Sequence, residues 1–215
     1  MPSASVRPTL QNPAESKLSS GRTPADLIAC VASVVGALAL VIFLFLPATP
    51  ATGPRLYISL FIAPAARMIG YWVMYDRLRG AKPIWAELGF YPLILGSLFL
   101  VAQNALKVSA SLNFSTLAYS THEGFDLLLK SLVALMLPFG LAIYACLIWT
   151  SPPLRRWLAL MMIPQVVLLT IIFGSFGLPR LGEFGTSRVL VVYTIILMFA
   201  KAVWFLSPVA GSKIR

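Results

Sequence analysis

Apolar residues along this chain fall into long blocks instead of alternating with polar ones. Six blocks stand out: Leu27–Leu46, Leu56–Tyr75, Leu88–Leu106, Leu127–Trp149, Trp157–Phe176 and Leu190–Leu206. Each is about twenty residues long, the length at which a helix crosses about 30 Å of hydrocarbon. Inside a bilayer every backbone N–H and C=O must be satisfied within the protein, which leaves helices or closed barrels. Unbroken Leu/Ile/Val/Ala runs fit helices. The pattern therefore predicts an all-α, polytopic membrane helix bundle of about six transmembrane helices. Six spans nearly exhaust the 215 residues. The expected organisation is a Ser/Pro/Thr-rich disordered tail over 1–24, a six-helix transmembrane domain over 25–210 and a short tail over 211–215.

Composition agrees with this reading. Hydrophobic residues make up 59% of the chain and charged residues 11%, whereas a soluble domain carries about a quarter charged residues. A net charge of +10 would suggest nucleic acid in a soluble protein, but here the basic residues flank the blocks and no nucleic-acid partner is expected. With the N-terminus in the cytoplasm, ten Lys and Arg fall on that side, among them Arg77, Arg79, Lys82, Arg155 and Arg156. Four fall opposite, at Arg55, Lys107, Arg180 and Arg188, and Arg67, Lys130 and Lys201 lie inside spans. The positive-inside rule then places both termini in the cytoplasm. The first block reads as a retained signal-anchor, because a cleaved signal has a shorter apolar core close to the N-terminus.

The connections carry further signals. Asp76–Glu87 reads as a basic cytoplasmic loop flanked by aromatic residues that suit the headgroup level. Val108–Thr121 reads as the longest external connection and holds one glycosylation sequon, Asn113-Phe-Ser115. Cys30 and Cys146 lie within blocks and read as packing thiols. His122 is the only histidine, which excludes a histidine-paired haem or a histidine-rich di-iron cluster. No cofactor or metal is expected.

Chemistry in a membrane protein is sought among ionisable residues that hydrophobicity should have excluded. Ser120-Thr-His-Glu-Gly-Phe-Asp-Leu-Leu-Leu-Lys130 enters the fourth span from outside, and His122, Asp126 and Lys130, each four residues apart, share one helix face. Ser120 and Glu123 have the spacing of a capping box, and Asp126 with Lys130 that of an ion pair. Gln103, Asn104 and Lys107 close the third span at the same expected depth, so amides, an ammonium, two carboxylates and an imidazole meet at one level. Arg67 is the most anomalous single residue: a mid-span arginine costs roughly 2.5–3.5 kcal/mol and calls for an anion, with Asp126, Glu123 or an acidic substrate as candidates. These residues define a candidate site with Glu123, Asp126 and His122 catalytic and Arg67, Gln103, Asn104 and Lys130 binding substrate.

The size, the six spans, the sparse acids and the Ser/Pro-rich start resemble the small integral membrane cyclases and epoxide-opening enzymes of fungal terpenoid and polyketide pathways. One such group pairs Trp with Glu within a helix, and Trp85-Ala-Glu87 is the nearest match here, with one extra residue. The resemblance implies a cofactor-independent enzyme of secondary metabolism in the endoplasmic reticulum membrane. Its substrate would be lipophilic and its chemistry acid–base. The paired acids of such enzymes would correspond to Glu123 or Asp126 with Asp76 or Glu87. Two other classes are a small transporter for an anionic solute and a structural or assembly subunit of a membrane complex. The absence of an internal repeat and of broken spans disfavours the transporter.

Overall fold

The computed structural model describes residues 23–45, 53–80, 82–111, 117–151, 156–174 and 185–207, with side chains over 23–45, 61–80, 82–105, 125–151, 156–171 and 188–207. The described residues form six helices: α1 (Pro24–Phe45), α2 (Gly53–Arg79), α3 (Pro83–Ser111), α4 (Leu117–Thr150), α5 (Trp157–Gly174) and α6 (Gly185–Leu206). One helix stands in each apolar block.

Four stretches are long and apolar enough to cross a membrane: Pro24–Phe45, Pro83–Ala105, Phe125–Thr150 and Arg188–Leu206. In α2, Arg67, Asp76, Arg77 and Arg79 lower the hydropathy, and the described part of α5, Trp157–Ile171, is shorter. Prolines lie inside four helices, at Pro64, Pro92, Pro138 and Pro164, and all four continue through them.

The helices outrun the apolar blocks because backbone hydrogen bonding does not stop where hydropathy falls. Asp76, Arg77 and Arg79 lie on the last turn of α2, and Ile84–Glu87 on the first turn of α3. The expected loop over Asp76–Glu87 is therefore confined to the few residues between those helices. Likewise 108–111 belong to α3 and 117–121 to α4, so the connection between them is shorter than expected. Helix α4 starts at Leu117, upstream of Ser120, which places the Ser120–Glu123 spacing inside the helix and not at its cap. Asn113 lies outside the described residues.

Each helix packs on its neighbour in sequence, and α6 returns to pack on α1, closing a ring of six. Lipid tails are as apolar as leucine, so close packing must hold such helices together. Small residues supply it. A Cβ on Gly36 of α1 would collide with Met198 of α6 and come within 2.8 Å of Ala66 of α2. Between α3 and α4, a Cβ on Gly89 would stand 2.5 Å from the Tyr144 ring, and one on Gly140 2.8 Å from the Gly89 carbonyl oxygen. The core fills with Tyr71, Met74, Leu78, Tyr144, Leu158, Met162, Trp204 and Phe205. The outward faces carry exposed apolar side chains such as Leu38, Leu98, Leu135, Ile163 and Val203, an unpartnered apolar exterior suited to lipid.

One end of the ring is fastened by charge. Thr23 and Asp26 form a reciprocal cap at the start of α1, Thr23 N–H donating to Asp26 Oδ2 (3.1 Å) and Asp26 N–H to Thr23 Oγ1 (3.3 Å). The Arg77 guanidinium pairs with the same carboxylate, Nη2 to Oδ1 at 2.7 Å. It also donates to the carbonyls of Trp204 (3.4 Å) and Phe205 (3.0 Å) and lies over the Trp204 ring. Those carbonyls are among the last of α6, where helical partners run out; the Trp204 carbonyl also accepts from the Ser207 N–H at 3.1 Å. The start of α1, the end of α2 and the end of α6 thus share one end of the bundle, here called the clasp end.

Candidate functional site

The residues singled out from the sequence separate into two clusters. The first sits between α3 and α4 at the end away from the clasp. Gln103 Nε2 donates to Asp126 Oδ1 (3.1 Å), and Lys130, one turn along α4, forms an ion pair with Asp126 Oδ2. Gln103 and Asn104 are both 3% exposed, whereas about a quarter of the Asp126 side chain is accessible. The expectation that the ends of the third and fourth spans meet at one level holds for Gln103 and Asp126. His122 and Glu123 lie on the same helix, at and beside the turn before Asp126, and Lys107 near the end of α3; their side chains are outside the described residues.

The second cluster is in the ring interior nearer the clasp. Arg67 and Tyr71, one turn apart on α2, face Lys201 of α6, whose Nζ lies 4.4 Å from the centre of the Tyr71 ring. Lys201 is 4% exposed and Tyr71 1%. Arg67 and Lys201 are near enough for their like charges to interact. The exposed stripe of α2 runs through Ile62, Ala65, Ile69, Trp72 and Asp76. Arg67 lies two residues, about 200° of helical rotation, from Ile69, so it points inward. Its Nε is buried without a hydrogen-bond partner, and no ion pair reaches it among the described residues.

These clusters are not one site. Arg67 stands twelve residues before Arg79 and Gln103 twenty after Pro83, where α2 passes into α3. At 1.5 Å per residue the depths are about 18 Å and about 30 Å from the clasp end. Among the described residues no ion pair joins Arg67 to Asp126, which pairs with Lys130 of its own helix. Lys130 accordingly does not join Arg67 and Lys201 in one cationic pocket.

Other candidates resolve into structural roles. Asp76 pairs with Arg79 on its own helix at the exposed end of α2 (2.7 Å), and Glu87 is exposed on α3. Both stand at the clasp end, opposite Asp126, so they provide no paired acid for it. Tyr75 stacks on Phe90 at 4.7 Å and Trp72 meets the same ring at 5.7 Å, joining α2 to α3. Of the two cysteines, both free, Cys30 is buried as expected. Cys146 is exposed, because it lies on the outward side of α4 in an open, apolar groove of about 340 Å³ bordered by Lys82, Trp85 and Phe139. On the inside of α5 and α6, Gln165 Nε2 donates to Thr194 Oγ1 (3.3 Å), and Tyr193 Oη donates to the Met161 carbonyl (2.8 Å) beside Pro164.

Sequence reasoning passed over Asp26, detectable through the capping spacing Thr23-Pro-Ala-Asp26, and grouped Tyr71 with the aromatic residues of the headgroup level, whereas it lies buried one turn from Arg67. Among the described residues no group of three or more His, Cys, Asp or Glu could hold a metal ion.

Fold and site together define a class: an all-helical chain, closed as a ring, with four helices fit to cross a membrane and ionisable groups turned to the inside. No family model, curated protein or solved structure matches the chain.

Proposed function

We propose that the protein is a six-span integral membrane enzyme that acts on a lipophilic substrate by acid–base chemistry, without a cofactor. Both termini would be cytoplasmic, Asn113 external, and the membrane that of the endoplasmic reticulum in a eukaryotic cell. The observation that carries the reading is the placement of Asp126. A carboxylate in an apolar span is held by a buried amide and an ammonium, yet keeps an accessible edge. Its two oxygens face the Gln103 amide and the Lys130 ammonium, an arrangement that suits a proton acceptor. The adjoining ammonium would support negative charge developing on a substrate oxygen, as in opening an epoxide. The proton-donating role then passes to Glu123 or His122 on the same helix, with Gln103 and Asn104 as positioning amides.

Metabolite profiling tests this. A strain carrying Asp126→Asn at normal protein level should match the deletion strain, accumulating a lipophilic precursor that is an isomer or a dehydrated form of the lost product. Loss of a general base lowers turnover by about 10²-fold or more. An Asp126→Asn profile identical to wild type would sink the proposal. A second reading, transport of an anionic solute, is favoured by the inward cations Arg67 and Lys201. Uptake of that solute by proteoliposomes of the purified protein, with an unchanged metabolite profile in Asp126→Asn, would select it.

A further inference from the structure

Arg67 and Lys201 present an imbalance that the acid–base reading does not use. Two cations on facing helices point into the ring, and neither is paired with a carboxylate among the described residues. A single basic residue at this depth is already costly, and a second of the same sign adds repulsion. The rest of the bundle shows how this chain neutralises a cation when structure alone requires it. Arg77 has Asp26, two carbonyls and an indole face, and Arg79 has Asp76. Among the described residues Arg67 has none of these, and Lys201 has one aromatic ring.

Polar acceptors stand at the same height. Arg77 bonds the Phe205 carbonyl, which fixes the register of α2 against α6. Arg67 lies ten residues from Arg77 and Thr194 eleven from Phe205, so both are about 15–17 Å from the clasp. Thr194 holds Gln165, whose Oε1 is buried without a hydrogen-bond partner. Among the described residues, the level of Arg67 therefore carries one unpaired donor, its Nε, on α2 and one unpaired acceptor on α5.

We infer that Arg67 and Lys201 form an intramembrane binding site for an oxyanion, a carboxylate or phosphate, carried on a lipophilic molecule that enters the ring. Guanidinium supplies a planar fork for two oxygens and ammonium a point charge. The bound anion cancels the repulsion between them. The inference goes beyond the acid–base proposal and shares with it only the placement of the bundle in a bilayer.

Thermal melting of the full-length protein in nanodiscs tests it, with oleate, dioleoyl phosphatidate, methyl oleate and inorganic phosphate as probes. Oleate or phosphatidate should raise the melting temperature saturably, by about 5 °C at a hundredfold excess over Kd. Methyl oleate, which lacks the charge, should give no shift. Inorganic phosphate reproducing the shift would assign the oxyanion to a water-soluble source; phosphate inert beside active oleate assigns it to a lipid. R67Q and K201Q should each abolish the shift while melting, without ligand, no lower than wild type. A purely structural arginine would give the opposite. R67K should retain part of the shift. D126N should retain all of it, so failure of the acid–base reading and failure of this one are distinguishable. No shift with any anion, an equal shift with methyl oleate, or an undiminished shift in both R67Q and K201Q would overturn the inference.

Discussion

Arg67 and Arg77 lie ten residues apart on one helix and meet opposite surroundings. Arg77 has a carboxylate, two helix-terminal carbonyls and an indole face, and its side chain is 11% exposed. Replacing it with alanine strands the Asp26 carboxylate and frees the end of α6. Arg77→Ala should therefore destabilise the protein by about 3 kcal/mol, measured by unfolding in a denaturing detergent titration. Asp26→Asn should cost less, because the amide still accepts from the arginine. Equal stability of Arg77→Ala and wild type would show that the clasp does not hold the bundle. The sequence made Arg67 conspicuous, since hydropathy alone flags a cation within an apolar run. Arg77 was less legible: it sits where hydropathy falls, and only a partner 51 residues away makes it structural. Asp126 and Lys130 were legible as a pair because four-residue spacing is a local property of a helix. That Lys130 excludes Arg67 from the same carboxylate depends on depth, which spacing along one helix does not report.

At the scale of elements, the number and order of the helices could be read from the apolar blocks, and their ends could not. Polar residues such as Asp76, Arg77 and Arg79 continue α2 because a helix gains a hydrogen bond at each added residue whatever its side chain. Contacts between helices were likewise hidden, since Gly89 and Gly140 matter through what they allow to approach. The α3–α4 interface gives a sharp test. A Cβ at position 140 would meet backbone, the Gly89 carbonyl oxygen at 2.8 Å, whereas one at position 89 meets the Tyr144 ring at 2.5 Å. Gly140→Ala should cost about 2 kcal/mol in the same titration, and trimming Tyr144 should not restore it. Gly89→Ala should be rescued in part by Tyr144→Leu, because the colliding atoms are then removed. Rescue of both by Tyr144→Leu would mean that the helices do not approach closely at Gly140.

For the whole molecule, both sites depend on which way the helices run and on closure of the ring. On the proposed orientation the connection between α3 and α4 is external, which would expose the Asn113 sequon to glycosylation. Expressed in a eukaryotic secretory membrane, the protein should carry one endoglycosidase-sensitive increment that disappears in Asn113→Gln. An increment unchanged in Asn113→Gln, or none in wild type, would contradict the proposed orientation. The ring itself followed from no feature of the sequence. Neighbours in sequence pack together in most bundles, but the return of α6 to α1 rests on the fit of Met198 and Ala66 around Gly36 and on the Arg77 clasp, contacts between residues far apart in the chain.

Closure is also what turns Arg67, Lys201 and Gln165 away from lipid, and it can be measured in membranes. Cysteines placed at Ala37 and Met198, which share one buried apolar cluster, in a chain with Cys30 and Cys146 changed to serine and a protease site inserted between α3 and α4, report contact between α1 and α6. After cross-linking with a short thiol reagent and proteolysis, the two halves should migrate as one species until the link is reduced. Halves that separate without reduction, or links that join only different chains, would show that α6 does not close on α1 and that no interior exists to hold the charges.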